Sequence, residues 1–289
     1  MRLVGYNIQY GIGLDGQYDI GRIAAAVRGA DLIALQEVSR NNPMNGGRDM
    51  VAELRAELPE YFAAYGPNYE AEIGSHVKDG RAVDVRMTFG NMILSKAPIL
   101  LSRNLLLPRS RGYDRLNLQR GALEVVVEAP LGFVRFYSTH LDHRGPDERL
   151  AQVRFLKDRL LGYPLEGGAV SGLSEMGFPE PPHPDAFVVM GDFNMLPDAP
   201  EYLEFVGRAD HEFGRPLTAT LGVDVADRLG KTGEEDTTWI DPKRPDDRSR
   251  WKRIDYAFTS ASLAARLKGI RVDRTAVGSD HLPVWVELG

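Results

Sequence analysis

The sequence contains no cysteine among its 289 residues, so disulfides and thiolate chemistry are excluded, and a zinc site would need histidine and carboxylate ligands alone. It has no apolar run approaching the ~18 residues of a membrane span. Internal repeats and low-complexity tracts are absent as well. A secretory leader needs a basic start and then roughly 7–15 apolar residues, whereas Met1-Arg2-Leu3-Val4-Gly5-Tyr6-Asn7 runs straight into polar residues. The expectation is a cytoplasmic, monomeric protein without a stable membrane anchor. Positive charge is also short: 35 Lys and Arg against 41 Asp and Glu leave −6. That balance argues against a protein that coats nucleic acid but leaves room for a local basic cleft. What the chain does have is 43% hydrophobic residues, enough for a sizeable core and incompatible with disorder. By length alone, about two domains are expected.

The opening alternates strand and helix. Residues 3–8 read as a short buried strand, followed by a glycine-broken loop at 10–13. Asp19 can cap a helix in which Ile20, Ile23, Ala24 and Val27 recur on one face, with Gly29 after it. Residues 31–36 form the next apolar strand, and Val51, Leu54 and Leu58 before Pro59 suggest a second helix. This order indicates an α/β protein. Residues 91–94, 122–127, 133–139 and 187–190 carry strand composition, as do 254–258 and 282–286 near the end. Pro146 suits a first helical position, with Asp147 and Glu148 at the positive helix end and Leu150, Val153, Leu156 and Leu160 as the buried stripe. The Gly- and Pro-rich stretch 162–185 and the charged stretch 241–250 read as surface loops rather than linkers.

Polar residues recur just where apolar strands end. Asn7 closes the first strand and Glu37 the second; His140 and Asp142 close the 133–139 strand; Asp192 and Asn194 close the 187–190 strand; Asp280 and His281 precede the last. Residues two apart in extended chain face the same way, so His140 with Asp142, and Asp192 with Asn194, can each direct a pair into one cleft. Any single Asn or Asp in such a place is an ordinary turn former or helix cap. The set is harder to explain that way, because α/β proteins place their sites at successive strand ends. Carboxylates, amides and imidazoles together suit Mg²⁺ or Mn²⁺ with a phosphate ester.

At this point the chain resembles the endonuclease/exonuclease/phosphatase superfamily of metal-dependent phosphohydrolases, the DNase I-like group. The residues that carry the resemblance are Tyr6-Asn7, Gln36-Glu37, Gly90-Asn91-Met92-Ile93-Leu94-Ser95, Thr139-His140-Leu141, Gly191-Asp192-Phe193-Asn194, Arg253-Ile254-Asp255-Tyr256 and Ser279-Asp280-His281, in the family's order and over nearly the whole chain. The resemblance implies an α/β fold arranged as a four-layer α/β/β/α sandwich, with two mixed β-sheets packed face to face and helices outside. It implies that Glu37 is the main carboxylate on Mg²⁺ or Mn²⁺, with Asn7 and Asp280 contributing directly or through water. Asp192 would orient or deprotonate the attacking water and Asn194 would hold the phosphoryl group. His281 would bond a phosphate oxygen with Asp255 fixing its tautomer, and His140 would be a second phosphate-facing imidazole. Because Asn7 and His281 lie near opposite ends of the chain, one domain over 1–289 replaces the expectation of two.

Several residues keep two readings. Arg120 and Asn91 are candidate substrate contacts or a loop cap and a turn residue, and Asp142 is a further candidate contact. Asp255 could instead pair with Arg253; Arg86 and Arg144 are candidate phosphate contacts or solvated cations; Trp239 is a core residue or a base-stacking platform. His143 reads as a surface neighbour of Asp142. The partner class is a phosphate ester, with nucleic acid left open: Arg103, Arg109, Arg111, Arg115 and Arg120 could track a phosphate backbone. A binding module with the same fold but no turnover is the alternative from a different class, and it predicts gaps in the constellation; none is found. A zinc hydrolase fits less well, since carboxylates and amides outnumber imidazoles.

Overall fold

The computed structural model of the chain describes residues 1–112, 116–233 and 236–289. Chain order runs β1 (Arg2–Asn7), α1 (Ile20–Val27), β2 (Leu32–Asn42), β3 (Arg48–Asp49), α2 (Met50–Glu57), β4 (Phe62–Glu72), β5 (His76–Lys78), β6 (Arg81–Val83), β7 (Arg86–Ser95) and β8 (Ile99–Leu106). It continues through β9 (Gly121–Ala129), β10 (Gly132–His140), α3 (Pro146–Glu166), β11 (Phe187–Asp192), α4 (Pro200–Val206), β12 (Val223–Asp224), α5 (Val225–Arg228), β13 (Asp255–Thr259), β14 (Leu267–Val272) and β15 (Val284–Leu288).

One sheet has the order β14-β15-β1-β2-β7-β4, with β3 paired to β2; the other has the order β12-β13-β11-β10-β9-β8. Both are mixed, with β1–β2 and β10–β11 parallel and the other strand pairs of the two sheets antiparallel. Strand alternation explains the layers. Leu3, Leu32, Ala34 and Ile93 point into the space between the sheets, where Leu123, Val125, Phe136, Val188 and Met190 meet them. Their neighbours Val4, Ile33, Leu35, Met92 and Leu94 point outward, against Ile23 and Val27 of α1 and Val51 and Leu54 of α2. On the far side Ala122, Tyr137, Val189, Tyr256 and Phe258 pack against Val153, Leu156 and Leu160 of α3 and Phe205 of α4. Each strand with two apolar faces therefore serves two cores, which yields the α/β/β/α sandwich.

Register then assembles one end of it. Asn7 lies opposite Gln36 at the end of the β1–β2 pairing. In the second sheet His140 pairs with Gly121 on one side and Asp192 on the other, and Asp192 pairs with Asp255. The β10–β11 contact needs glycine at 191, where an added Cβ would lie 1.9 Å from the Thr139 carbonyl oxygen.

Several elements differ from the sequence expectation. Glu37 does not close its strand: β2 continues to Asn42, and a bulge between Leu35 and Val38 holds Glu37 at φ 61°. A bulge aims a side chain where regular alternation would not, at a cost in backbone strain that clusters at functional positions. Asn194 has φ 49°, so it shares a direction with Asp192 through a turn, in which its N–H donates to Asp192 Oδ1 at 2.9 Å, rather than through strand periodicity. The 162–185 stretch starts as the last turn of α3. Leu150 is only half-buried, and the helix buries Glu148, Gln152 and Tyr163 beside Val153, Leu156 and Leu160. Strands β4, β8 and β14 had no clear sequence signal, being sheet-edge strands with several half-exposed positions.

Candidate active site

At the end where these strands meet, a cleft of 740 Å³ opens between the sheets. Glu37, Arg120, His140, Asp192, Asn194, Asp280 and His281 all line it. Asn7 and Asp255 sit directly behind, bonded to lining residues.

His281 Nδ1 lies 2.9 Å from Asp255 Oδ2, which also accepts from Thr238 Oγ1 at 2.6 Å. Thr238 Oγ1 in turn accepts from the Asp255 and Ile254 backbone N–H groups. The far ring nitrogen, Nε2, is 3.7 Å from Asp192 Oδ2. Burial alone would lower the imidazole pKa, but Asp255 and Asp192 outweigh it and raise the group to about 10. His281 is thus an imidazolium at neutral pH. His140 is the opposite: burial first, and then the neighbouring Arg120, His281 and His143, hold it well below the usual histidine range, so it is neutral. Its Nε2 is 3.1 Å from Asn194 Nδ2 and 3.2 Å from Asp192 Oδ2.

Two carboxylates have raised pKa values. Burial pushes Asp192 up to about 7, with His281 opposing and Asp255 adding to the rise. Burial also raises Glu37, while His281 and Arg120 pull it down. Asn7 joins both: its Nδ2 donates to Asp192 Oδ2 at 3.0 Å and to Glu37 Oε1 at 3.3 Å. Because Asn7 Oδ1 accepts from Gln9 N at 3.1 Å, the amide faces the carboxylates with its N–H groups. In this arrangement Asn7 anchors Glu37 and Asp192 through its amide N–H groups. Asp280 Oδ2 accepts from Trp239 Nε1 at 3.1 Å, and its N–H donates to Gln9 Oε1 at 3.3 Å.

Asp192, Asp255 and His281 bring ligand-type atoms within 4.8 Å of one another, a buried group able to hold a cation if its hydrogen bonds opened. As it stands, Asp255 Oδ2 is taken by Thr238 and His281, and an imidazolium offers no lone pair. Glu37 fits a divalent cation better. Its one hydrogen bond among the described residues is the 3.3 Å contact from Asn7, and its partly buried charge lacks a cationic partner within hydrogen-bond reach among them. Oxygen donors from Glu37 and Asp280 suit Mg²⁺ or Mn²⁺.

The structure separates other candidates from the cleft. Asn91 is fully buried and donates to the Gly121 carbonyl at 2.8 Å, tying β7 of one sheet to β9 of the other. It is neither a turn residue nor a lining residue. Asp142, expected beside the substrate, accepts instead from Arg144 N at 2.8 Å and Gly145 N at 2.6 Å, forming the turn into α3. Arg253 does not pair with Asp255: it binds both Asp224 oxygens at 2.7 Å. Arg86 pairs with Asp84, exposed and away from the cleft. Arg103 is held by Glu124 at 3.0 Å. Arg109 donates to the Asn117 carbonyl at 3.2 Å, and Arg115 lies outside the described residues. Of the proposed arginine track, Arg120 alone lines the cleft among the described residues.

Gln9, Tyr10, Arg149 and Lys252, which sequence reasoning missed, also line the cleft, as do Trp239, a candidate stacking platform, His143, read as a surface neighbour of Asp142, and Arg144, a candidate phosphate contact. His143 Nδ1 is 2.9 Å from Arg120 Nη2, closer than the 4.0 Å to Asp142. Arg120 is 3% exposed and its Nε has no partner among the described residues. A run of two threonines before Trp239 was the available signal for that segment; Gln9 and Tyr10 gave none, because both sit at positive φ in a short 3₁₀ turn.

A family model described as Endonuclease/Exonuclease/phosphatase family matches residues 4–281. Among solved structures, an endonuclease/exonuclease/phosphatase from Beutenbergia cavernae matches with a TM-score of 0.65 at 22% identity, over 100% of this chain and 72% of that one. The mannosyl-6-phosphatase of Bacteroides thetaiotaomicron matches at 0.62 and 19%, covering 100% and 99%. D. rerio TDP2 complexed with a single-strand DNA product matches at 0.62 and 17%, covering 100% and 98%. At these identities the likeness is one of fold. No curated protein matches the sequence.

Proposed function

Because the chain belongs to the endonuclease/exonuclease/phosphatase family, we propose that it is a divalent-metal-dependent phosphoesterase acting as one domain over 1–289. The observation that carries this reading is the juxtaposition of the Asp255–His281 pair with Asp192, Asn194 and Glu37 in a single cleft. Glu37 and Asp280 would hold Mg²⁺ or Mn²⁺, which when bound supplies positive charge against the developing charge on the phosphoryl oxygens.

The chain's own residues do the rest. Asn7 holds the Asp192 and Glu37 carboxylates in place with its amide N–H groups. Asp192 orients the attacking water and accepts its proton; a carboxylate raised to about 7 is a competent base near neutral pH. His281, kept cationic by Asp255, donates from Nε2 to a phosphoryl oxygen. Asn194 Nδ2 and neutral His140 flank the same oxygens, and Arg120 adds a guanidinium that has no carboxylate partner among the described residues. Water adds to phosphorus in line as the ester oxygen departs, and either a phosphodiester or a phosphomonoester meets this description. The test is a panel of single- and double-stranded DNA, RNA, inositol phosphates, sphingomyelin and small phosphoesters, each assayed with Mg²⁺, with Mn²⁺ and with excess chelator. Hydrolysis of one class that chelation abolishes is the expected result; full activity in chelator would remove the proposal.

A further inference from the structure

We infer that Trp239 is a positioning residue whose indole N–H fixes the Asp280 carboxylate for the divalent cation. The inference rests on the phosphoesterase reading above, in which Asp280 is one of the cation's ligands. The local sequence accounts for the placement. Residues 238–240 belong to no long strand, yet they are paired on both sides: Trp239 forms a bridge to Lys252 and another to His281. The bonds run from Trp239 N to Lys252 O at 2.9 Å and Lys252 N to Trp239 O at 3.0 Å. On the other side Ile240 N donates to Asp280 O at 2.8 Å and Leu282 N to Thr238 O at 2.7 Å.

In extended backbone, neighbouring side chains take opposite faces. Thr238 therefore turns to the interior, where it bonds Asp255, and Trp239 turns to the cleft, where its Nε1 donates to Asp280 Oδ2 at 3.1 Å. Among the described residues Asp280 Oδ1 has longer contacts, 3.4 Å from Ser279 Oγ and 4.0 Å from His281 Nε2. The rotamer of the carboxylate is thus set chiefly by the indole. Lys252, whose Nζ sits 5.1 Å from the Trp239 ring centroid, stacks a cation on the ring and helps to hold it. Trp239 was weighed from sequence as a core residue or a stacking platform, and its bond to Asp280 points to neither. A hydrogen bond from a neighbouring group to a metal-ligating side chain typically changes metal affinity 10- to 100-fold when removed.

The test is Mn²⁺ binding by the metal-free chain, read as free Mn²⁺ by electron paramagnetic resonance, alongside bis(4-nitrophenyl) phosphate hydrolysis. Trp239→Phe is expected to weaken Mn²⁺ binding about tenfold and to regain most of its kcat at saturating Mn²⁺, with substrate KM little changed. Replacing Trp239 by 3-benzothienylalanine keeps the ring shape and loses only the N–H; it should give the same loss, and it carries the test should the phenylalanine variant not fold. Trp239→His, which restores an N–H donor, should recover part of the affinity. Wild-type Mn²⁺ affinity in the benzothienyl variant, combined with weakened binding in Asp280→Asn, overturns the inference alone. Wild-type affinity in Asp280→Asn removes the metal assignment and the inference with it. A changed KM at unchanged Mn²⁺ affinity would make Trp239 a substrate-stacking residue instead.

Discussion

Asp192 and Asp224 are equally buried, each 2% exposed, and their surroundings are opposite. Asp224 receives both 2.7 Å bonds from Arg253, a 2.8 Å bond from Tyr202 Oη and a 2.9 Å bond from Ala226 N. Arg135, also fully buried, donates to the carbonyls of Leu160, Pro184 and Asp185 and to Tyr137 Oη. In those regions every charge taken from water has been given partners, as burial demands. The cleft breaks this rule. Asp192 and Glu37 are pushed toward the neutral form, and Arg120 has no carboxylate beside it among the described residues. A charge paired within the protein is architecture; a carboxylate held toward its neutral form, or a guanidinium without a carboxylate, is open to something that binds.

That contrast can be broken by substitution. Glu37→Gln should lower phosphoester hydrolysis by roughly 10³-fold or more, while leaving the metal-free thermal midpoint equal or higher, since a partly desolvated, disfavoured charge is removed. A variant that keeps most of its activity would take Glu37 out of the site. Asp224→Ala should do the reverse: denaturant titration should report a loss of about 3–5 kcal/mol, because Arg253 is left buried without its partner, and activity per folded molecule should hold. Asp255→Asn falls between them, with kcat down by roughly 10²-fold through a mis-set His281 and stability nearly intact; unfolding would assign Asp255 to the architecture instead.

Metal and pH sharpen the same contrast. Asp192 has its folded pKa raised from 3.8 to about 7 in the metal-free chain, so the folded state holds the proton more tightly than the unfolded state across that window. Its stabilising contribution is complete below 3.8 and is lost as pH rises through about 7. Unfolding free energies of the metal-free wild type should therefore fall relative to Asp192→Asn between pH 5 and pH 8; parallel curves would contradict the assignment. Mg²⁺ at about ten times its Kd should return roughly 1.4 kcal/mol at pH 8, and little of that should survive in Glu37→Gln. The smallest effect belongs to the exposed Arg86–Asp84 pair. Arg86→Ala should change stability by less than about 0.5 kcal/mol and leave hydrolysis unaltered; a marked loss of activity would bring Arg86 back to the substrate.

The core strands and first helices were legible because their signals are local. Ile20, Ile23, Ala24 and Val27 mark a helix by spacing, and Asp19 does cap it, accepting from Arg22 N. Edge strands were not legible, since half-exposed segments such as 267–272 lack alternation. Within the cleft, Asn7, Asp192, Asp280 and His281 stood out as polar residues at strand ends. Their chemical states did not. His140 and His281 look alike in sequence, yet one sits against Arg120 and is neutral while the other faces Asp255 and is charged. Asp142 and Asn91 were misplaced for the same reason: what a side chain bonds depends on segments far away in the chain.

By itself, then, the sequence determined the α/β class, the apolar faces of the main strands and a short set of polar residues at their ends. These follow from residue type and periodicity over a few neighbours. The tertiary structure alone decided the rest: that a bulge turns Glu37 into the cleft, that Arg253 answers to Asp224 and not Asp255, and that Trp239 reaches Asp280. Charge state and orientation in a buried site are set by the partners within a few ångströms, and here those partners come from Asn7 at one end of the chain and His281 at the other.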